Sequence, residues 1–369
     1  MTTITRKAVL GGLATLSAVV LLAGCASAPE DTDTNETGAA GGETTSDFLP
    51  CIVSDEGGFD DKSFNQLSWE GLEAGAAEVG VETKRVESMS ETDYPNNIDN
   101  LLNENCSLII GVGYKLIPAI DEAAAANPDV NFALIDGESD LENVKPIIYD
   151  TSESAFLAGY AAASYSTTGK VATWGGINIP TVTIFMDGFA KGVEYHNSEK
   201  GTDVEVLGWD VEAQNGSEVG NFAAGTQAKA LAETFIGQGA DVLFPVGGPI
   251  YESAGEAIRD AEAANADTNI VLVGVDADLY ESDPRFADLY LTSALKDLKV
   301  STQEIVVDAF NGEFSGDSYV GTLENDGVGI ADFHDFADSV DPALADELET
   351  IRTAIIAGDI DASSVSSPK

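Results

Sequence analysis

The chain has 369 residues, of which 64 are Asp or Glu and 17 are Lys or Arg, so its formal net charge at pH 7 is −47. A charge of this sign and size repels nucleic acids and anionic ligands, which argues against a DNA-binding or nucleotide-binding protein. The hydrophobic fraction of 44% is typical of a globular protein, and the length allows about two domains of ordinary size.

The N-terminal region predicts export and membrane attachment. Arg6 and Lys7 precede an uncharged apolar segment that ends in the letters LLAGC at Cys25. This pattern is typical of a signal peptide over residues 1–24, and LLAGC resembles the lipobox that makes a cysteine the lipidated first residue of a mature lipoprotein. A plain signal peptide with an incidental cysteine is the alternative. Residues 25–46 are small, polar and acidic, which predicts a disordered tether on the extracytoplasmic face of the cell membrane.

The next part of the chain alternates apolar runs of strand length with segments of helix length. Strands are predicted at residues 47–55, 81–88, 106–113, 130–137 and 144–150. Helices are predicted at residues 65–80, 96–105, 116–128 and 152–167. Repeated strand-then-helix units indicate a parallel, doubly wound α/β sheet.

Cys51 and Cys106 lie at the starts of two of these apolar runs. In an exported protein an even pair of cysteines favours a disulfide, and the ends of neighbouring parallel strands are within bridging distance. Two buried free thiols are the alternative.

The same rhythm restarts at residue 169 and indicates a second lobe of similar construction. Strands are predicted at residues 169–177, 203–210, 240–248 and 269–276. Helices are predicted at residues 180–197, 224–239 and 251–265. The pattern then loosens into a strand at 289–297, a helix at 298–312, an extended segment at 318–330 and a last helix at 342–358.

Residues that common enzyme classes require are scarce. His196 and His334 are the only histidines, and no G-x-S-x-G, H-E-x-x-H or Walker pattern occurs. The letters GVG at 111–113 resemble the start of the dinucleotide-binding fingerprint G-x-G-x-x-G, but Leu116 stands in place of its third glycine. We therefore expect no enzyme, no cofactor and no metal site, and keep a nucleoside hydrolase that uses the aspartates only as the weaker alternative.

Polar residues and glycines follow the predicted strands in both lobes, where open α/β sheets place their ligands. They are Ser54, Asp55, Asp136, Gly137, Gly175, Gly176, Gly247, Gly248 and Asp276. Any one of these aspartates could be only a helix cap. Together, carboxylates and glycine amides without an arginine cluster predict a site for a neutral ligand that carries hydroxyl groups.

Five blocks resemble those of the basic membrane protein family of solute-binding lipoproteins, which includes bacterial purine nucleoside receptors. They read SDEGGFDDKSFNQLSWEG, WGGINIPTVTIFMDGFAKG, GADVLFPVGGP, VLVGVDAD and LTSALKD. The resemblance implies a type I periplasmic-binding-protein fold, in which two doubly wound α/β lobes are joined by a three-segment hinge. It also implies an ABC permease and ATPase as partners. We expect lobe 1 to comprise residues 47–166 and about 280–312, and lobe 2 residues 167–279 and about 313–369.

The resemblance also implies roles for eight residues. Phe64 and Phe222 would sandwich a purine base, although Ala224 stands where the family has an acid near the second aromatic residue. Asp55, Asn65 and Asp136 would lie near the base, and Gly248, Asp276 and Lys296 near the ribose. A sugar or another small neutral solute is the alternative ligand. Phe64 could instead be a core residue, and Lys296 could form only a surface ion pair.

Overall fold

The computed structural model describes residues 47–369. The signal peptide, Cys25 and the tether predicted over residues 1–46 lie outside the described residues. Within the described part, none of the helices combines the length and the apolar character that a membrane crossing requires.

The first half of the described chain forms five strands and four helices in strict alternation, apart from one direct strand-to-strand connection. The strands are β1 (Pro50–Ser54), β2 (Lys84–Val86), β3 (Leu108–Val112), β4 (Asn131–Ile135) and β5 (Val144–Tyr149). The helices are α1 (Phe64–Val79), α2 (Tyr94–Asn103), α3 (Ile117–Ala126) and α4 (Thr151–Tyr165). Because β1, β3 and β4 are covered on both faces, they are nearly continuous apolar runs, as expected of buried parallel strands.

The second half repeats this construction and then adds shorter elements. Its strands are β6 (Lys170–Gly175), β7 (Glu205–Leu207), β8 (Trp209–Asp210), β9 (Asn215–Gly216), β10 (Val242–Val246), β11 (Val271–Asp276), β12 (Tyr290–Lys296), β13 (Tyr319–Gly321) and β14 (Val328–Ile330). Its helices are α5 (Pro180–Lys200), α6 (Thr226–Gly237), α7 (Ile250–Ala264), α8 (Leu279–Ser282), α9 (Leu298–Asn311) and α10 (Leu344–Ile356).

Two six-stranded sheets define the two lobes. The sheet of lobe 1 has the order β13-β5-β4-β3-β1-β2, and that of lobe 2 has the order β14-β12-β11-β10-β6-β7. All neighbouring strands are parallel except β12 and β14, which are antiparallel. The chain passes between the sheets three times, after β5, after β12 and after β13. The prediction of two doubly wound α/β lobes joined by three segments is confirmed.

The course of the C-terminal third differs from the expected division. Of residues 280–312, expected in lobe 1, helix α9 packs into the hydrophobic core of lobe 1, but β12 pairs with β11 in the sheet of lobe 2. Of residues 313–369, expected in lobe 2, β14 joins the sheet of lobe 2, but β13 pairs with β5 in lobe 1 and α10 packs into the hydrophobic core of lobe 1. The local pattern reveals that these segments are short apolar strands and a helix, whereas their sheet membership depends on contacts with residues far away in the chain.

Helices α4 and α5 connect the lobes tightly. A Cβ atom at Gly188 or Gly192 of α5 would lie 2.2 or 2.0 Å from the carbonyl oxygens of Ser152 and Phe156 in α4, so the two backbones are in direct contact. Phe156 belongs to the core of lobe 1, and Ala158, two residues on, belongs to that of lobe 2. Helix α4 is therefore shared by both lobes.

The disulfide predicted in lobe 1 is present. It joins Cys51 in β1 to Cys106, two residues before β3, with 5.9 Å between the Cα atoms. Since β1 and β3 are hydrogen-bonded neighbours, with Cys51 opposite Ile109, the bond links adjacent strands of the sheet. Both cysteines are fully buried, and the alternative of free thiols is wrong.

Candidate functional site

A cavity of about 410 Å³ lies between the carboxyl edges of the two sheets. Both lobes contribute to its wall, because loops after β1, β3 and β4 face loops after β6, β10 and β11. The cavity is lined by all eight residues that the sequence predicted as ligand contacts, namely Asp55, Phe64, Asn65, Asp136, Phe222, Gly248, Asp276 and Lys296. The tertiary structure thus brings together residues that are up to 241 positions apart in the sequence (296 − 55).

On the lobe 1 side, one amide group connects two carboxylates. The Nδ2 of Asn65 donates to Oδ1 of Asp55 at 3.0 Å and to Oδ2 of Asp61 at 3.1 Å. The Oδ1 of Asp55 also accepts from the backbone N–H of Gly57 at 3.0 Å. These bonds hold Asn65, which is 2% exposed, in one orientation beside the cavity.

Asp61 organises the start of α1. Its carboxylate accepts from the backbone N–H groups of Ser63, Asn65 and Gln66 at 3.1, 2.9 and 3.0 Å. An unpaired N–H at a helix start is normally satisfied by such an acceptor. The aromatic and polar residues at the first two positions of the helix, Phe64 and Asn65, are therefore placed by a carboxylate that the sequence analysis did not select.

Burial changes the acidity of this cluster. Removal from water raises the pKa of Asp55 to about 6, even though the bonds from Gly57 and Asn65 work in the opposite direction. Burial also raises the pKa of Asp61 against the effect of its three backbone donors. The site therefore contains two carboxylates, Asp55 and Asp61, that are protonated more easily than carboxylates in water.

Lys296 spans the gap between the lobes. It is the last residue of β12 in lobe 2, and its Nζ lies 2.6 Å from Oδ2 of Asp136, which follows β4 in lobe 1. The same ammonium group is 3.5 Å from Oδ1 of Asp276 at the end of β11. All three side chains are buried, so the alternative that Lys296 forms only a surface ion pair is wrong.

The charges in this triad support one another. Burial alone would lower the pKa of Lys296, but the carboxylates of Asp136 and Asp276 outweigh it and raise that pKa, so the amine stays protonated. Burial raises the pKa of Asp276 to about 6, a rise that the Lys296 ammonium limits. A ligand hydroxyl that reaches this triad would meet both strong donors and strong acceptors.

Aromatic rings approach the cavity from both lobes. The Lys296 ammonium lies 5.1 Å from the ring centroid of Phe64, which opens α1, and 5.2 Å from that of Phe185 in α5. Phe64 is half-buried and packs in part against the core of lobe 1, so its ring contacts both the core and the cavity.

Phe222 rests on a glycine surface of lobe 2. A Cβ atom at Gly176 or Gly247 would lie 2.3 or 2.7 Å from atoms of the Phe222 ring, so only glycine leaves room for the ring there. The backbone oxygen and the Cβ atom of Phe222 lie close to Gly248, and both residues line the cavity.

The cavity also has walls that the sequence analysis missed. The sequence predicts Phe185 only as part of a helix, and its place in the cavity wall follows from the position of α5. Lys115, which forms ion pairs with Glu56 and Glu91 at 3.1 and 3.0 Å, contributes the second basic side chain of the lining. The turn of Tyr114 and Lys115 directly after a buried strand was the signal that could have identified them.

The fold and the site define a two-lobe solute-binding protein with its ligand cavity between the lobes. Residues 49–363 match the family of PnrA-like substrate-binding proteins of ABC transporters, known as Bmp, and the chain belongs to this family. Members of the family are solute-binding components of transporters rather than enzymes, act outside the cytoplasm, and have a permease and an ATPase as partners.

Individual relatives support this assignment over nearly the whole chain. The chain is 28% identical over 361 residues to the ABC transporter nucleoside-binding protein BmpA of Lactococcus lactis subsp. cremoris, with 94% of this chain and 95% of that protein covered. It is 27% identical over 354 residues to the CD4+ T-cell-stimulating antigen of Listeria monocytogenes, with coverages of 92% and 94%. Among solved structures, an ABC transporter solute-binding protein from Aeropyrum pernix K1 superposes with a TM-score of 0.75 and 25% identity, covering 85% of this chain and 92% of that one.

Proposed function

We propose that this protein captures purine nucleosides between its lobes and delivers them to an ABC importer. The observation that carries the proposal is that Phe64 of lobe 1 and Phe222 of lobe 2 line the same cavity as the buried triad of Lys296, Asp136 and Asp276. Aromatic faces suit a heterocyclic base, since stacking contributes about 1–3 kcal/mol per base. Carboxylates and an ammonium group suit the vicinal hydroxyls of a ribose.

The charge of the lining favours nucleosides over nucleotides. The cavity is lined by five carboxylates and two lysines, and two of the carboxylates already neutralise Lys296. A phosphate group would therefore enter a region of negative potential on a protein whose net charge is −47. Within the proposal, Asp55, Asn65 and Asp136 contact the edge of the base, and Gly248, Asp276 and Lys296 contact the sugar.

Membrane attachment through Cys25 is part of the same proposal. It is supported by the LLAGC sequence behind an apolar segment and by the substrate-binding family of the chain. Mass spectrometry of the N-terminal peptide from membrane-purified protein should detect a diacylglyceryl group on Cys25. An unmodified Cys25 in that peptide would contradict the anchor and leave the ligand assignment untouched.

Calorimetric titration with inosine tests the ligand. The wild-type protein should bind inosine, and Phe64→Ala should weaken binding by about 10–100-fold, because one of the two stacking faces is removed. Phe310→Ala is the matched control, since Phe310 is a partly exposed ring on α9 that does not line the cavity. If Phe64→Ala keeps the wild-type affinity, or if the protein binds free sugars but no nucleoside, the proposal is wrong.

A further inference from the structure

The Asn65 side chain has already used both of its donors. An amide group carries two N–H hydrogens, and those of Asn65 are directed to Asp55 at 3.0 Å and to Asp61 at 3.1 Å. An ionised carboxylate can only accept hydrogen bonds, so this pair of neighbours also determines which end of the amide is nitrogen and which is oxygen. What remains for any further partner of Asn65 is the acceptor Oδ1.

That oxygen has no protein partner. The Oδ1 of Asn65 is buried and accepts no hydrogen bond from any residue within 47–369. A buried acceptor without a donor is costly, and in a side chain that lines a cavity the cost is relieved when a ligand supplies an N–H or O–H group.

Asp61 cannot turn away to release the amide. Its carboxylate is bound to three successive donors of the α1 start, the backbone N–H groups of Ser63, Asn65 and Gln66. It is 5% exposed and does not pair with a lysine or arginine among the described residues. The helix start and the Asn65 amide are therefore held by the same group.

We infer that Asp61 is a positioning residue that makes Asn65 an obligate acceptor, so that the site selects heterocycles with an N–H donor at the edge that faces Asn65. The inference rests on the proposed nucleoside function and names the chemical feature that the site selects. Asp61 need not contact the ligand for this, because it acts through the orientation of the Asn65 amide.

A comparison of ligands on the wild-type protein tests the inference without any variant. Inosine offers N1–H and adenosine offers an exocyclic amine, whereas purine riboside offers neither donor at that edge. By calorimetry at pH 8, the wild-type protein should bind inosine or adenosine about 30-fold more tightly than purine riboside. Equal affinities for all three nucleosides would overturn the inference but not the proposed function. If no nucleoside binds, both fail.

The variant Asp61→Ser then tests the role of Asp61 itself. Serine keeps an oxygen for the helix start but removes the carboxylate that accepts one amide hydrogen of Asn65, so that hydrogen becomes available to a ligand acceptor such as N1 of purine riboside. The ratio of the affinities for inosine and purine riboside should fall to about fivefold or less, and this ratio is the readout because a general loss of binding would leave it unchanged.

The control for this variant is Asp241→Ser. Asp241 is also buried and accepts two backbone N–H bonds, from Thr167 and Thr168, but it lies at the amino end of β10, away from the cavity. A lower thermal stability in both variants with an unchanged ligand preference in Asp61→Ser would assign a purely structural role to Asp61. A changed preference in Asp61→Ser alone supports the inference.

Discussion

Asp136 and Asp276 occupy equivalent positions in the two lobes. Each lies at the carboxyl end of the third strand of its sheet, β4 or β11, and each has a left-handed backbone, with φ of 61° and 67°. The glycines after the fourth strands, Gly113 and Gly247, also correspond, with φ of 112° and 119°. The two lobes thus share the backbone geometry with which a parallel sheet presents its edge to a cavity.

The fifth strands show how the lobes differ. In lobe 1, β1 is followed by Asp55, whose carboxylate anchors Asn65. In lobe 2, β6 is followed by Gly176, which leaves room for the ring of Phe222. The same strand end therefore supplies hydrogen-bonding groups in one lobe and an aromatic platform in the other. One fold, used twice, can therefore surround a ligand with two kinds of chemistry.

Replacing Lys296, which connects the two lobes, should cause the greatest loss of stability and of ligand binding. Lys296→Met removes the only lysine or arginine within residues 47–369 that pairs with Asp136 and Asp276, and leaves two buried carboxylates from opposite lobes facing each other. Breaking a buried ion pair in this way costs about 3–5 kcal/mol, so the free energy of unfolding should fall by that amount and inosine binding should be lost. Chemical denaturation and calorimetry measure the two effects.

Lys299→Met provides the comparison for this variant. Lys299 pairs with Glu70 at 3.1 Å within lobe 1, and both side chains are substantially exposed. Its removal should change the free energy of unfolding by less than about 1 kcal/mol. Equal stability losses in the two lysine variants would show that the connection between the lobes does not depend on the Lys296 triad.

Asp55, on the acidic side of lobe 1, should make the free energy of unfolding depend on pH. The native pKa of Asp55 is about 6, above its ordinary value of 3.8, so the native state binds more protons than the unfolded state between these pH values. The stabilisation from protonated Asp55 is complete below pH 3.8 and is lost as the pH rises through 6. In Asp55→Asn this loss disappears, since the amide oxygen can still accept from Gly57 and Asn65 but does not ionise.

Asp55→Asn should therefore be more stable than wild type by about 1–3 kcal/mol at pH 7 and equally stable at pH 4. Denaturant unfolding curves at both pH values measure the difference, with the exposed Asp129→Asn as control. A constant difference between pH 4 and pH 7 would contradict the raised pKa.

A substitution beneath the Phe222 ring of lobe 2 should have a smaller effect, limited to inosine affinity. Gly176→Ala places a methyl group 2.3 Å from Cδ1 of Phe222 and so displaces the ring from its platform. Inosine affinity should fall about tenfold, within the range that a stacked base contributes. Gly237→Ala on α6, where a methyl group meets nothing within 4 Å, should leave the affinity unchanged. Unaltered binding in Gly176→Ala would remove Phe222 from the proposed site.

The order and type of nearly every element can be predicted from the amino-acid sequence. Strand-length apolar runs and helix-length segments are local patterns, and the strands predicted at 106–113 and 130–137 contain the observed β3 and β4. The strand-end residues Asp55, Asp136 and Asp276 could be recognised because parallel strands end at the same edge of a sheet. Phe64, Phe222 and Lys296 were indicated by the resemblance to a family.

The lobe that each of the last strands joins, and the contacts that hold the site together, depend on the folded structure. The sheet membership of β12 and β13 depends on pairing with β11 and β5, which no local pattern encodes. The contact of Lys296 with Asp136 joins residues 160 positions apart and requires both lobes to be in place. The role of Asp61 was visible only once its carboxylate, the start of α1 and the Asn65 amide were seen together, because hydrogen-bond geometry is set by folded distances rather than by residue order.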